Sequence, residues 1–139
     1  MKFWDTSALI YLLVDGPASE ELRKKVSSDK ELIIWWSTSV EAVSAFARSE
    51  REKLFTEDQT LTLMGSLQRL IQACLVVEPT TPVLEKAQRL VRIHPLRAAD
   101  AFQLAAAIQI VDGNTREFEF VTLDKRLRTA ALKEGFAVD

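Results

Sequence analysis

Lys2-Phe3-Trp4-Asp5-Thr6-Ser7-Ala8-Leu9 opens the chain with a short apolar strand, Lys2 to Trp4, that stops at an aspartate. Two hydroxyl residues and an apolar stretch follow, and the pattern predicts a helix over Thr6 to Val14 that Asp15-Gly16-Pro17 ends with a turn former and two helix breakers. The same order returns near the other end. Phe118 to Thr122 reads as a strand, Asp124 stands just beyond it, and Lys125 to Glu134 reads as a helix capped by Gly135. Between them Leu32 to Trp36 and Leu75 to Val77 have the β-branched and aromatic or aliphatic character of buried strands. Helices are predicted over Ser19 to Ser27 and over Thr38 to Glu52, the latter with Val40, Val43 and Ala47 on one face. A capping box of Thr56 and Gln59 starts a helix whose apolar face is Leu61, Met64, Leu67, Leu70 and Ile71. Pro82 suits a first helical turn, Val83 to Ile93 continues to a stop at His94-Pro95, and Ala98 to Val111 is apolar on most sides, as a central helix would be. Short strands separated by helices need crossover connections, so the class is α/β, with a mostly parallel sheet covered on both faces. Such sheets bind ligands beyond the carboxyl ends of their strands, where Asp5 and Asp124 both fall.

A length of 139 residues with 47% hydrophobic content fits one compact domain over 1–139 rather than two. The formal net charge of −2, from 18 basic and 20 acidic residues, excludes the general attraction to nucleic acid of a strongly basic protein, so any such surface is local. Cys74 is the single cysteine and has apolar neighbours, which points to a buried thiol in a reducing, cytoplasmic compartment. Ala8 to Val14 is too short, and too close behind Asp5, for a signal peptide, and no run approaches the roughly 20 apolar residues of a membrane span.

Four acids carry the functional reading. Each alone has a plain structural role: Asp5 and Asp124 as helix N-caps, Glu41 at capping-box spacing from Thr38, and Asp100 in a first helical turn. Together they fall near helix starts at one end of the sheet. Carboxylates about 5 Å apart at an effective dielectric of about 20 repel by about 3 kcal/mol per pair, and the sequence places no obvious buried Lys or Arg to offset this. Oxygen-only ligation selects Mg2+ or Mn2+ over zinc, and His94, the only histidine, reads as a helix-end residue. Such an ion polarises a phosphate and acidifies water, so no protein nucleophile is needed. The hydroxyls of Thr6, Ser7 and Thr122 are placed either to orient the acids or to cap and pack.

These residues resemble the PIN domain, in particular the small VapC-type toxins. The resemblance spans nearly the whole chain and rests on Asp5-Thr6-Ser7-Ala8-Leu9, on Thr38-Ser39-Val40-Glu41, on Arg97-Ala98-Ala99-Asp100-Ala101 continuing through Ala105-Ala106-Ala107, and on Phe120-Val121-Thr122-Leu123-Asp124. It implies a three-layer α/β/α sandwich and a divalent-metal endoribonuclease cutting structured RNA such as tRNA or ribosomal RNA. A cognate antitoxin would bind and inhibit it. The chain departs from the family pattern at Trp4, which is bulkier than usual before the first acid, and at Gln103, where many relatives carry histidine. The Trp35-Trp36 pair is similar to one in a branch of these proteins.

Arg48, Arg51 and Lys53, Arg89, Arg92 and Arg97, and Lys125, Arg126 and Arg128 cluster near the motifs and form either a phosphate-positioning rim or ordinary solvated helix surface. The apolar faces of Thr56 to Ala73 and Val83 to Ile93 exceed what one core buries, which predicts a homodimer, as the resemblance also implies. A haloacid-dehalogenase-type phosphatase would need a second aspartate where Ser7 stands, and a receiver domain would need a phosphoacceptor where Glu78-Pro79 stands. The remaining alternative is a catalytically silent PIN-like module that binds RNA or a protein, which has no reason to keep a repulsive acid cluster.

Overall fold

A computed structural model describes residues 1–29 and 31–138. Strands β1 (Lys2–Trp4), β2 (Leu32–Trp35), β3 (Leu75–Val77) and β4 (Glu119–Val121) form a sheet in the order β3-β2-β1-β4, with every pairing parallel. Lys2 pairs with Leu32 on one side and Glu119 on the other, so β1 is central.

Side chains alternate across the strands and sort into two cores, as the two-residue period requires. Phe3, Ile33, Trp35 and Phe120 face helices α5 (Thr81–Ile93), α6 (Ala98–Ile110) and α7 (Lys125–Lys133). Trp4, Leu32, Ile34 and Val121 face α1 (Thr6–Ile10), α2 (Ser19–Ser27), α3 (Thr38–Arg51) and α4 (Glu57–Gln72). The result is the three-layer α/β/α sandwich. Helix α6 buries Ala101 and Gln103 to Ala107 against the sheet, which explains its lack of a polar face. The Thr56–Gln59 capping box of α4 forms in both directions.

Several local expectations differ. Helix α1 ends at Ile10 rather than Val14: the amides of Leu12 and Leu13 bond the carbonyls of Leu9 and Ile10, three residues back, while Tyr11 to Val14 pack onto the second core. In α3 the buried stripe is Thr38, Ala42 and Phe46, and Val40 points to solvent at 68% exposure. In α4 the expected face holds at Leu67, Leu70 and Ile71, which pack on the second core, while its first turns bury Thr60 and leave Leu61 and Met64 exposed. A 3-10 turn at Thr115–Glu117 was not predicted, nor was a parallel bridge from Glu119 to Ala137 that extends the sheet beyond β4. Cys74 is half-buried, its Sγ donates to the Leu70 carbonyl at 3.2 Å, and burial pushes its thiol up to about 11. Among the described residues no helix is long and apolar enough to cross a membrane.

Candidate active site

The strand order places the site. The chain steps from β1 outward to β2 and β3, then crosses back to put β4 on the other side of β1, so the order reverses between β1 and β4. A crevice opens at such a point beyond the carboxyl ends of the strands, and Asp5 and Asp124 leave β1 and β4 on its two sides.

Asp5 is 5% exposed, and its Oδ2 accepts from Ser7 Oγ at 2.6 Å, Thr122 Oγ1 at 2.9 Å and the Ser7 amide at 3.3 Å. Each hydroxyl is in turn a relay. The Leu123 amide donates to Ser7 Oγ at 3.0 Å and the Asp124 amide donates to Thr122 Oγ1 at 3.1 Å. The turn after β4 is thereby tied to the turn after β1 through the carboxylate. Asp124 caps α7, its Oδ1 accepting from the Leu127 amide at 2.8 Å. Both aspartates are therefore helix caps and crevice residues at once.

Glu41 enters from the first turn of α3 and Asp100 from the first turn of α6. Glu41 forms no capping box. Its Oε2 accepts from Thr6 Oγ1 at 2.7 Å and from Gln103 Nε2 at 2.6 Å. The same Gln103 amide nitrogen reaches Thr6 Oγ1 at 2.8 Å and Thr38 Oγ1 at 3.2 Å, while its Oε1 is buried with no partner among the described residues. Gln103 was set aside in the sequence as a departure from a family pattern; the structure makes it a member of the site. A signal was present, since it is the polar break in an apolar helix and lies three residues, about one turn, after Asp100.

The acids sense one another. Burial raises the Asp5 carboxyl above its ordinary range, against the pull of its hydrogen bonds from Ser7 and Thr122. Burial likewise raises Glu41, with the charges of Asp5 and Asp100 adding to the effect and the bonds from Thr6 and Gln103 opposing it. Asp100 is raised by burial and by Asp124 and Asp5, while Arg97 and Arg126 act to lower it. All four carboxylates are thus electrostatically linked. Among the described residues, though, no three His, Cys, Asp or Glu side chains already stand close enough together to hold one ion. One oxygen of Asp5, Glu41 and Asp124 is taken by the bonds above; the other oxygen of each, and both of Asp100, accept no side-chain hydrogen bond among the described residues. An all-oxygen, mutually repelling donor set with spare lone pairs fits a hard divalent cation.

Asp100 and Asp124 also line a cleft of about 520 Å3 with Arg97, Lys125 and Arg126. The basic rim is narrower than the nine residues read from the sequence. Arg89 pairs with Glu134 at 3.6 Å, and Arg128 donates to the Thr122 carbonyl at 3.1 Å. Arg48 and Arg51 stand in the last turn of α3 and Lys53 just beyond it, at the other end of the helix from Glu41, and Arg92, in the last turn of α5, does not line the cleft. His94, at the end of α5, is bonded to Glu134 Oε1 at 2.7 Å and takes no part in the crevice.

The family model described as PIN domain matches residues 2–133, nearly all of the elements just described. The chain belongs to the PIN domain family. No curated protein sequence matches it significantly. Two solved structures share its fold at low identity. VapC20 of Mycobacterium tuberculosis, a Sarcin-Ricin loop cleaving toxin, superposes with a TM-score of 0.68 at 16% identity over 99% of this chain and 97% of its own. FitAcB of Neisseria gonorrhoeae gives a TM-score of 0.68 at 19% identity over 99% and 96%. At these identities the likeness carries the fold, and the reading of this PIN domain's site rests on its own residues.

Proposed function

We propose that this PIN domain is a Mg2+- or Mn2+-dependent endoribonuclease that hydrolyses RNA phosphodiester bonds. The observation that carries the reading is the linked set of Asp5, Glu41, Asp100 and Asp124 at the reversal point of the sheet, opening into a cleft walled by Arg97, Lys125 and Arg126. The four acids would hold the cation once drawn together around it, and the cation would supply charge neutralisation at the phosphate and acidification of water. Thr6 and Gln103 fix the orientation of Glu41, and Ser7 and Thr122 fix that of Asp5. The three basic side chains steer the flanking phosphates onto Asp100 and Asp124. Family membership and the Sarcin-Ricin loop cleavage by VapC20 favour structured RNA, tRNA or ribosomal RNA, as substrate.

The wider setting we propose is that of a toxin acting in the cytoplasm as a single domain over 1–139, held inactive by a cognate antitoxin. A homodimer is supported by Leu61 and Met64 on α4 and Val91 and Ile93 on α5, all open to solvent. Sedimentation equilibrium reads that assembly directly.

Incubation of a total tRNA and ribosomal RNA mixture with the protein and Mg2+ or Mn2+ tests the chemistry. Discrete fragments are expected, absent with EDTA and with Asp100→Asn. Intact RNA under every condition, from folded protein, would leave the silent binding module as the better account, in line with acids already engaged by hydroxyls and by Gln103.

A further inference from the structure

Beside the acids, at the same carboxyl end of the sheet, lies a second groove of about 470 Å3 between β2, the start of α5 and the start of α6. Trp36, Ser37, Thr80, Thr81, Leu84 and Phe102 line it, and none of its lining residues is charged. Trp36 is 56% exposed, an unusual cost for an indole in a protein that buries Trp4 and Trp35 almost completely. Its backbone is fixed nonetheless, because its amide donates to the Val77 carbonyl at 3.1 Å and continues the sheet ladder. Behind it, Trp35 stacks on Phe102 with ring centroids 5.6 Å apart and planes inclined by 5°. Ser37 and Thr80 stand at the N-cap positions of α3 and α5, where a hydroxyl usually bonds a helix amide, and neither does so. Those hydroxyls, with that of Thr81, make no hydrogen bond among the described residues and stand at the groove.

The placement relative to the acids decides what fits. Asp100 faces the cationic cleft and Phe102 the neutral groove; two residues apart on a helix, they point about 200° apart around its axis. The first turn of α6 therefore separates the cationic cleft, which holds Asp100 and Asp124, from an aromatic, hydroxyl-lined groove, and Trp36 and Ser37 bring that groove to the start of α3, whose first turn carries Glu41. A nucleotide carries that same pair of chemistries, an anionic phosphate and a flat uncharged base with donors and acceptors on its edge.

We propose that the Trp36 groove is a subsite for one unpaired RNA base next to the scissile phosphate, the base stacking on the exposed indole while Ser37, Thr80 and Thr81 bond its edge. The proposal rests on the endoribonuclease reading and adds to it a base contact at Trp36 beside the phosphate contacts.

The test is fluorescence anisotropy of a labelled single-stranded 12-mer RNA of mixed sequence, and of the same backbone with abasic nucleotides, titrated with protein in EDTA so that nothing is cut. Wild type is expected to prefer the RNA with bases, Trp36→Ala to lose affinity for it by roughly 5- to 150-fold with the abasic strand unaffected, and Trp36→Phe to keep most of the preference. Equal binding of both strands by wild type, no binding of either, or an unchanged preference in Trp36→Ala would overturn the subsite. A change in sedimenting mass in Trp36→Ala would overturn it too, assigning the groove to a protein contact. The two readings fail separately. Wild type that prefers bases through Trp36 but cuts no RNA with Mn2+ loses the nuclease and keeps the base site, whereas Mn2+-dependent cutting undiminished in Trp36→Ala loses the base site alone.

Discussion

Gln103 shows how much of the site is held by a residue that touches no metal or substrate in the proposed chemistry. One amide nitrogen serves Thr6, Thr38 and Glu41, joining α6 to α1 and α3 over the end of the sheet. Glu41, which it orients, is hard to ionise in the free protein, as are Asp5 and Asp100, all three raised first by burial. A carboxyl raised on folding stabilises the fold fully below its ordinary value, 3.8 for Asp and 4.5 for Glu, and that stabilisation is lost as pH rises through the raised value. A bound cation reverses the loss and competes with protons for the same oxygens. The Mn2+-induced rise in Tm is therefore expected to be larger at about pH 8 than at about pH 5, and Gln103→Leu should weaken apparent Mn2+ affinity by about 10- to 100-fold at either pH. Differential scanning fluorimetry over a Mn2+ series measures both. A Tm shift of equal size at the two pH values would count against the acids as ligands.

At the scale of elements, the C-terminal end of the chain locks the outer edge of the sheet beside the site. Gly135 follows α7 with φ of +98°, and a Cβ there would come within 2.6 Å of Thr115 Oγ1, which donates to the Glu134 carbonyl at 2.8 Å. That turn delivers Ala137 to the edge of β4, where the Phe120 amide donates to the Ala137 carbonyl at 2.9 Å. Gly135→Ala combines a left-handed backbone with a side-chain clash and is expected to lower stability by about 1–3 kcal/mol, read as a lower urea midpoint at unchanged m. An unchanged midpoint would mean that the turn relaxes without cost. The glycine was legible in the sequence as a helix stop; the fourth pairing it sets up was not, because one bridged residue leaves no alternating pattern to read.

For the whole molecule, charge is the informative property. A net charge of −2 repels RNA weakly at a distance, so binding depends on the local wall of Arg97, Lys125 and Arg126. Three phosphate contacts predict that log affinity for single-stranded RNA falls against log salt with a slope of about −2. Titrations at several salt concentrations give the slope; a value near zero would remove the wall from the interface, and one near the −6 expected for nine contacts would restore the broader rim.

The sequence alone determined the α/β class and the parallel order of strands and helices, and it pointed to Asp5 and Asp124, because strand-then-acid-then-helix is a local pattern that burial and capping impose, and to Glu41 and Asp100 by their places in first helical turns. It also placed Thr6, Ser7 and Thr122 close enough in the chain to serve those acids. Tertiary structure alone decided which way α3 rotates and how much of the α4 face is covered, since Val40, Leu61 and Met64 have partners or lack them only once the layers are packed. It alone reduced nine basic residues to three at the cleft, brought Gln103 to Glu41 across 62 positions of sequence, and set Trp36 beside α6. Distance along the chain carries no information about such meetings; they are fixed by where the helices come to rest on the sheet.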